Sequence, residues 1–237
     1  MPHDAHAALL IPNNAPRSGG IVDLCPELPP ASGLSQRLME APGVGALYEG
    51  GIRPLLTALV RGPTYSEEEA WLEAHLSPQP GPILDLACGT GRYTRQLARR
   101  HGAGRLIGAD VSLPMLRRAA TQSPEICFVR ASAQALPLAT DSLGGACCMG
   151  ALHLFPDPVG ALAELGRVLS PGAPLVLLTA ARPEQPGLAR GLAVIGRLIR
   201  LRFLDEAMLS EGLAAGNLHL LARQDHGAMR LLAARAG

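Results

Sequence analysis

From residue 81 onward, short apolar runs alternate with stretches of helical periodicity, and this alternation constrains the fold more than any other feature of the chain. The runs cover 83–87, 105–109, 126–129, 146–149 and 174–179, with helical segments at 91–101, 113–121 and 158–169 between them. Runs this short and this apolar read as strands covered on both faces. A strand, a helix and a further strand in sequence make a right-handed crossover, so the runs should lie parallel in one sheet with helices on either side. A helix at 187–202, another at 205–214 and two closing runs at 217–223 and 228–235 follow. The last two are close enough to form a hairpin, so the sheet should end antiparallel. The expected fold is therefore α/β, with a seven-stranded, mostly parallel sheet.

Residues before the alternation read differently. Positions 1–33 are rich in Pro, Gly, Asn and Ala without periodicity, which predicts a flexible arm. Positions 34–80 carry apolar residues at helical intervals, interrupted by Pro42 and Pro54, and predict a helical lid on the substrate side. Within it, Ser66-Glu67-Glu68-Glu69 has the spacing of a capping box, with Ser66 as cap and Glu69 reaching back. Residues 81–237 form the core domain, and 186–215 a helical insertion in it.

Composition removes several chemistries. All 21 basic residues are arginine, so there is no Schiff-base lysine, no pyridoxal-phosphate anchor and no Gly-Lys-Ser/Thr phosphate loop. A net charge of +1 and 3% aromatic residues leave neither a phosphate-neutralising field nor a base-stacking platform, so nucleic acid is not the expected partner. The five cysteines form no C-x-x-C or Cys/His cluster; no metal site is expected, and a reducing cytoplasm suits them. Cys147 and Cys148 are adjacent in an apolar run and should point to opposite faces of the sheet as buried thiols. Neither a basic leader followed by an apolar stretch nor a membrane-spanning segment is expected.

The most informative stretch is Ile83-Leu84-Asp85-Leu86-Ala87-Cys88-Gly89-Thr90-Gly91-Arg92-Tyr93-Thr94. An apolar strand runs into a glycine turn and then a helix, at the carboxyl end of a parallel sheet where open α/β folds bind ligands. Gly89 and Gly91 allow close backbone approach. Asp110 ends the second run, placed to accept hydrogen bonds from a ribose diol at about 1.5 to 3 kcal/mol each. The third glycine of a pyrophosphate fingerprint is missing, because Thr94 stands there. Asp85 would repel a pyrophosphate and welcome a cationic group. The ligand implied is a nucleoside carrying an amino acid.

With these residues the sequence resembles the class I S-adenosylmethionine-dependent methyltransferases, over about residues 34–236. The resemblance is carried by Asp-Leu-Ala-Cys-Gly-Thr-Gly at 85–91, Gly-Ala-Asp-Val-Ser at 108–112, Ala-Gln-Ala-Leu-Pro-Leu at 133–138, Gly-Ala-Leu-His-Leu-Phe-Pro-Asp-Pro at 150–158 and Arg-Val-Leu-Ser-Pro-Gly at 167–172. It is nearest to small-molecule enzymes related to the ubiquinone and menaquinone methyltransferases, including bacterial secondary-metabolite members. It implies a Rossmann-like fold with S-adenosyl-L-methionine as cofactor and S-adenosyl-L-homocysteine as its product. By the same resemblance Asp85 would orient the methionine amino group, the Gly89 backbone would receive the aminoacyl part, and Asp110 would hold the ribose. Val111 would pack on the adenine face and Ala133 would offer its N–H to the adenine edge. Ala87, Cys88, Gly91 and Tyr93 in the turn, Met115 in the next helix, and Gln134, Met149 and Gly150 in later loops complete the implied cofactor set. Ser132 departs from the aspartate common there and would be a weaker acceptor; Ala173 replaces a common second glycine.

On the acceptor side, His153 in the loop after the fourth run is the candidate general base, with Asp157 to orient it; the other reading is that His153 caps a turn or packs under the lid. Tyr48 and Arg53 are candidate substrate residues. The basic amphipathic stretch 187–204 suits a membrane surface, a cover over a greasy substrate or an ordinary docked helix. Few aromatic and many aliphatic residues suggest a lipophilic small-molecule acceptor. The expectation is O-methylation of an enol, phenol or other hydroxyl in secondary metabolism by a monomer or homodimer. C-methylation of a quinone-like precursor and cofactor binding without methyl transfer are the alternatives.

Overall fold

The computed structural model describes residues 17–25, 51, 53–181 and 203–237. Tyr48, the first part of the expected lid (34–50 and 52) and residues 186–202 of the expected insertion lie outside the described residues. The strands are β1 (Arg17–Ser18), β2 (Ile21–Asp23), β3 (Ile83–Leu86), β4 (Leu106–Asp110), β5 (Cys127–Arg130), β6 (Gly145–Met149), β7 (Pro174–Ala180), β8 (Leu218–His226) and β9 (Met229–Ala236). The helices are α1 (Arg53–Leu59), α2 (Tyr65–His75), α3 (Arg92–His101), α4 (Leu113–Gln122), α5 (Pro158–Val168) and α6 (Glu206–Ala215).

The sheet order is β1-β2-β5-β4-β3-β6-β7-β9-β8. The strands β2, β5, β4, β3, β6 and β7 run parallel, and β9 pairs antiparallel with both β7 and β8. Every residue of β3, β6 and β7 is buried, as strands covered on both faces require. Leu84, Leu86 and Cys148 belong to the apolar cluster on one side of the sheet, and Ile83, Cys147 and Phe128 to that on the other. The adjacent thiols therefore do face opposite ways. No helix among the described residues is long and apolar enough to cross a membrane.

Two expectations are corrected. The arm is not wholly loose: β1 and β2 extend the sheet to nine strands, with Ile21 opposite Phe128 and Val22 opposite Val129. Ile21 and Val22 are 0% and 1% exposed. A parallel strand at the free side of β5 satisfies backbone groups that would otherwise face water, and three residues carry too little periodicity to betray it. The capping box lies two residues earlier than Ser66: Thr64 Oγ1 accepts from the Glu67 N–H at 3.3 Å, and Glu67 Oε2 accepts from the Thr64 N–H at 2.7 Å. Thr64 and Glu67 have the same spacing as Ser66 and Glu69, and the chain enters the helix at the first pair.

Candidate active site

The parallel strands β3, β4, β5 and β6 bring the residues singled out in the sequence to one end of the sheet. After Leu86 the backbone turns sharply, with Ala87 at φ 57°, Gly89 at φ 57° and Gly91 at φ 81°, and α3 starts at Arg92. A left-handed alanine costs about 1 kcal/mol or more, and the Cys88 N–H bond to the Ala109 carbonyl at 3.0 Å helps hold the turn against β4.

Asp110 closes the turn from below. Its Oδ2 accepts from the Gly89 N–H and its Oδ1 from the Ser112 N–H, both at 2.8 Å. Burial pushes its pKa up, and these amide bonds oppose the shift. Each oxygen keeps a further lone pair, so both can still accept from a diol. A Cβ built on Gly89 would meet no atom of the described residues within 4 Å, so among them the space above the turn is open. The buried Ser112 hydroxyl beside Asp110 has no hydrogen-bond partner among the described residues. An open backbone cradle, a carboxylate with spare acceptor capacity and an orphaned hydroxyl fit the nucleoside and aminoacyl parts of S-adenosylmethionine.

Asp85 is placed differently from the residue the resemblance implied. It is 1% exposed; its Oδ2 accepts from Thr94 Oγ1 at 2.5 Å and its Oδ1 from Cys147 Sγ at 3.5 Å. Cys147 is its register partner on β6. Burial raises the Asp85 pKa from 3.8 to about 6. Thr94, a mere departure from glycine in the sequence, is thus the residue that satisfies this carboxylate. Cys88 is buried, with its Sγ toward the Gly89 carbonyl at 3.8 Å. Tyr93 turns its hydroxyl to Glu68 of α2. Arg92 pairs with Glu69 at 2.7 Å and covers the Tyr65 ring at 3.8 Å, so α2 is docked on the helix that follows the glycine turn.

Beyond Asp110, the Val111 carbonyl accepts from Arg130 Nε at 3.1 Å, and Met115 is buried in α4. At the end of β5, Ser132 Oγ accepts from the Gln134 N–H at 3.3 Å, and Ala133 is partly buried against the core. Met149 ends β6, and Gly150 at φ 81° donates its N–H to the Leu178 carbonyl at 2.8 Å.

His153 sits in a short turn, Leu152–Leu154, after β6 and is 8% exposed. Its Nδ1 accepts from the Ala180 N–H at 3.1 Å, so in the neutral ring Nε2 carries the proton. Burial lowers its pKa from 6.5 to about 4. Asp157 does not orient it: Asp157 is the N-cap of α5, its Oδ1 accepting from the Gly160 N–H at 2.9 Å. Arg53 lies in α1, remote in sequence from the glycine turn. Arg130, Thr94, Ser112 and the Ala180 amide escaped the sequence reading, because each acts through a partner distant in the chain or through burial.

Comparison with known proteins gives a consistent picture. Residues 83–172 match a family model described as a methyltransferase domain. The chain is 34% identical over 144 residues to a demethylmenaquinone methyltransferase of Lactiplantibacillus plantarum, covering 54% of this chain and 61% of that protein. It is 36% identical over 122 residues to a 2-phytyl-1,4-naphtoquinone methyltransferase of Thermosynechococcus vestitus, covering 50% and 53%. It is also 36% identical over 138 residues to a malonyl-[acyl-carrier protein] O-methyltransferase of Pseudescherichia vulneris, covering 58% and 54%. The chain thus spans between about half and three fifths of these relatives. Among solved structures it resembles a geranyl diphosphate C-methyltransferase of Streptomyces coelicolor A3(2), with TM-score 0.63, 17% identity and coverage of 73% of this chain and 76% of that one. It also resembles the [4+2]-cyclase SpnF, with TM-score 0.61, 20% identity and coverage of 81% and 94%. These two likenesses concern the fold. Residues 83–172 thus carry the match to a methyltransferase domain, and the sheet order and ligand cradle around them are in keeping with the class I S-adenosylmethionine-dependent methyltransferases that the sequence resembles.

Proposed function

We propose that the chain transfers a methyl group from S-adenosylmethionine to a small lipophilic acceptor, and that the accepting atom is a carbon already made acidic by neighbouring carbonyl or phenolic oxygens. The observation that carries the second half is the hydrogen bond from the Ala180 N–H to His153 Nδ1. A ring so held presents N–H at Nε2, and protonating the other nitrogen would set two N–H groups against each other. The expectation of O-methylation at a neutral hydroxyl rested on His153 as base, and this geometry withdraws that support.

When bound, the cofactor supplies an electrophilic methyl carbon on its sulfonium. The chain's own work is then to align the acceptor and exclude water. His153 Nε2–H is suited to donate to an oxygen of the acceptor, where negative charge gathers as the carbon nucleophile forms. The quinone-type relatives are named for acceptors of this class. A carboxylate acceptor needs no base either, and the malonyl-[acyl-carrier protein] relative favours it as a second reading. A [4+2]-cyclase is similar in fold, so the case for methyl transfer is carried by the site and not by the fold.

The test offers methyl-labelled cofactor with a prenylated naphthoquinol bearing a free ring position, a simple phenol and a malonyl thioester. A new carbon–methyl bond in the quinol supports the proposal. An ether from the phenol, an ester from the thioester, or no transfer to any acceptor overturns it.

A further inference from the structure

Three residues in register across three strands connect the amino-terminal segment to the cofactor cradle. Asp23 on β2 lies opposite Arg130 on β5, and Arg130 lies opposite Asp110 on β4. In-register partners of parallel strands share a face, so the guanidinium stands between two carboxylate-bearing strand ends. Its donors are divided between the two sides. Nε bonds the Val111 carbonyl at 3.1 Å, while Nη1 bonds Asp23 Oδ2 and the Cys25 carbonyl, each at 3.3 Å. Backbone bonds brace the same place: Leu24 N–H to the Arg130 carbonyl and Ala131 N–H to the Asp110 carbonyl, both at 3.1 Å. Asp23 also accepts from the Cys25 N–H at 3.1 Å. The side chains of Arg130 and Asp23 are 18% and 22% exposed, so water screens the pair less than a surface pair.

A ribose held by Asp110 places its base beside the residues that follow Asp110 and those that end the neighbouring strand, β5. Those are Val111 and Ser112 on one side and Ser132 and Ala133 on the other. Arg130 donates to the Val111 carbonyl, and it stands two residues before Ser132, with Ala131 between them. We propose that Arg130 is a positioning residue for the base of the cofactor, and that β2, through Asp23 and Cys25, holds Arg130 in place. The amino-terminal segment then belongs to the binding site, contrary to the loose arm its composition suggests. The inference rests on the reading of Asp110 as the ribose acceptor.

A planar guanidinium serves the Val111 carbonyl and Asp23 from separate nitrogens held in a fixed fork, whereas the thioether of methionine has no donor at all. The test uses full-length Arg130→Met and Asp23→Asn proteins and calorimetric titration with two probes: S-adenosylhomocysteine and its hypoxanthine analogue, which differs only at the edge of the base. The wild type should prefer the adenine probe. Arg130→Met should weaken adenine binding about 5-fold or more while changing hypoxanthine binding less, so the preference shrinks; Asp23→Asn should do the same about 2-fold. A role confined to stability would lower the melting temperature and leave the preference intact. That result, or equal loss for both probes, or no preference in the wild type, overturns the proposal. If Arg130→Met does not fold, Asp23→Asn decides alone. Asp110→Asn separates the two levels: if it binds the adenine probe as tightly as wild type, the ribose reading fails, whereas an intact preference in the Arg130 and Asp23 variants with weakened Asp110→Asn removes this inference only.

Discussion

The Ala180 N–H donates to His153 Nδ1 across 3.1 Å, tying the turn after β6 to the end of β7. This bond decides what the imidazole can do. With Nδ1 occupied and burial holding the pKa near about 4, the ring stays neutral at physiological pH and offers only a donor. His153→Gln, whose amide can still donate, should keep cofactor affinity and lower turnover by about 10-fold or less, with the pH profile of kcat unchanged. Loss of about 100-fold or more together with a vanished inflection would restore His153 as the base.

Asp85 and His153 set opposing pH dependences of stability. The folded Asp85 titrates near about 6 against 3.8 ordinarily, so through that window the native state keeps a proton that the unfolded chain has released. Stability therefore falls as pH rises across it. The folded His153 titrates near about 4 against 6.5, so the unfolded chain binds a proton that the native state refuses, and stability rises with pH across that window. Each effect is on the order of 3 kcal/mol at full extent. The two nearly cancel in the wild type, with Asp110, also raised by burial, adding to the falling side. Urea denaturation from about pH 4 to about pH 7 should therefore show a steeper rise for Asp85→Asn than for wild type, and a fall for His153→Gln. Parallel curves for all three proteins would contradict the assignment.

Asp110 carries the ribose contact on the present reading. Asp110→Asn should weaken S-adenosylhomocysteine at least about 10-fold in calorimetry, since one or both charge-assisted acceptor bonds are lost. Wild-type affinity would place the ribose elsewhere.

Gly108 is the register partner of Phe128, and an added Cβ would lie 2.7 Å from the Phe128 ring. The ring is fully buried and cannot swing away. Gly108→Ala should cost about 1 to 3 kcal/mol in chemical denaturation, as overpacking does. An unchanged denaturation midpoint would mean that β4 and β5 slide apart more easily than their packing suggests.

Local pattern by itself determined the α/β alternation, the strands β3 to β7 to within about a residue at most ends, the closing hairpin, the opposed faces of Cys147 and Cys148, and the glycine turn with Asp110 beyond it. Periodicity, glycine and the carboxylate at a strand end all act over a few residues, so a linear reading captures them. Tertiary structure alone decided the rest. Strands β1 and β2 exist because the edge of β5 receives them, and three residues show no period. The choice between two capping boxes of equal spacing fell to Thr64. Asp85 found Thr94 and Cys147, His153 found the Ala180 amide, and Arg130 found Val111 and Asp23. A hydrogen bond joins whichever groups folding buries side by side, and most of these partners are brought together only by the sheet order.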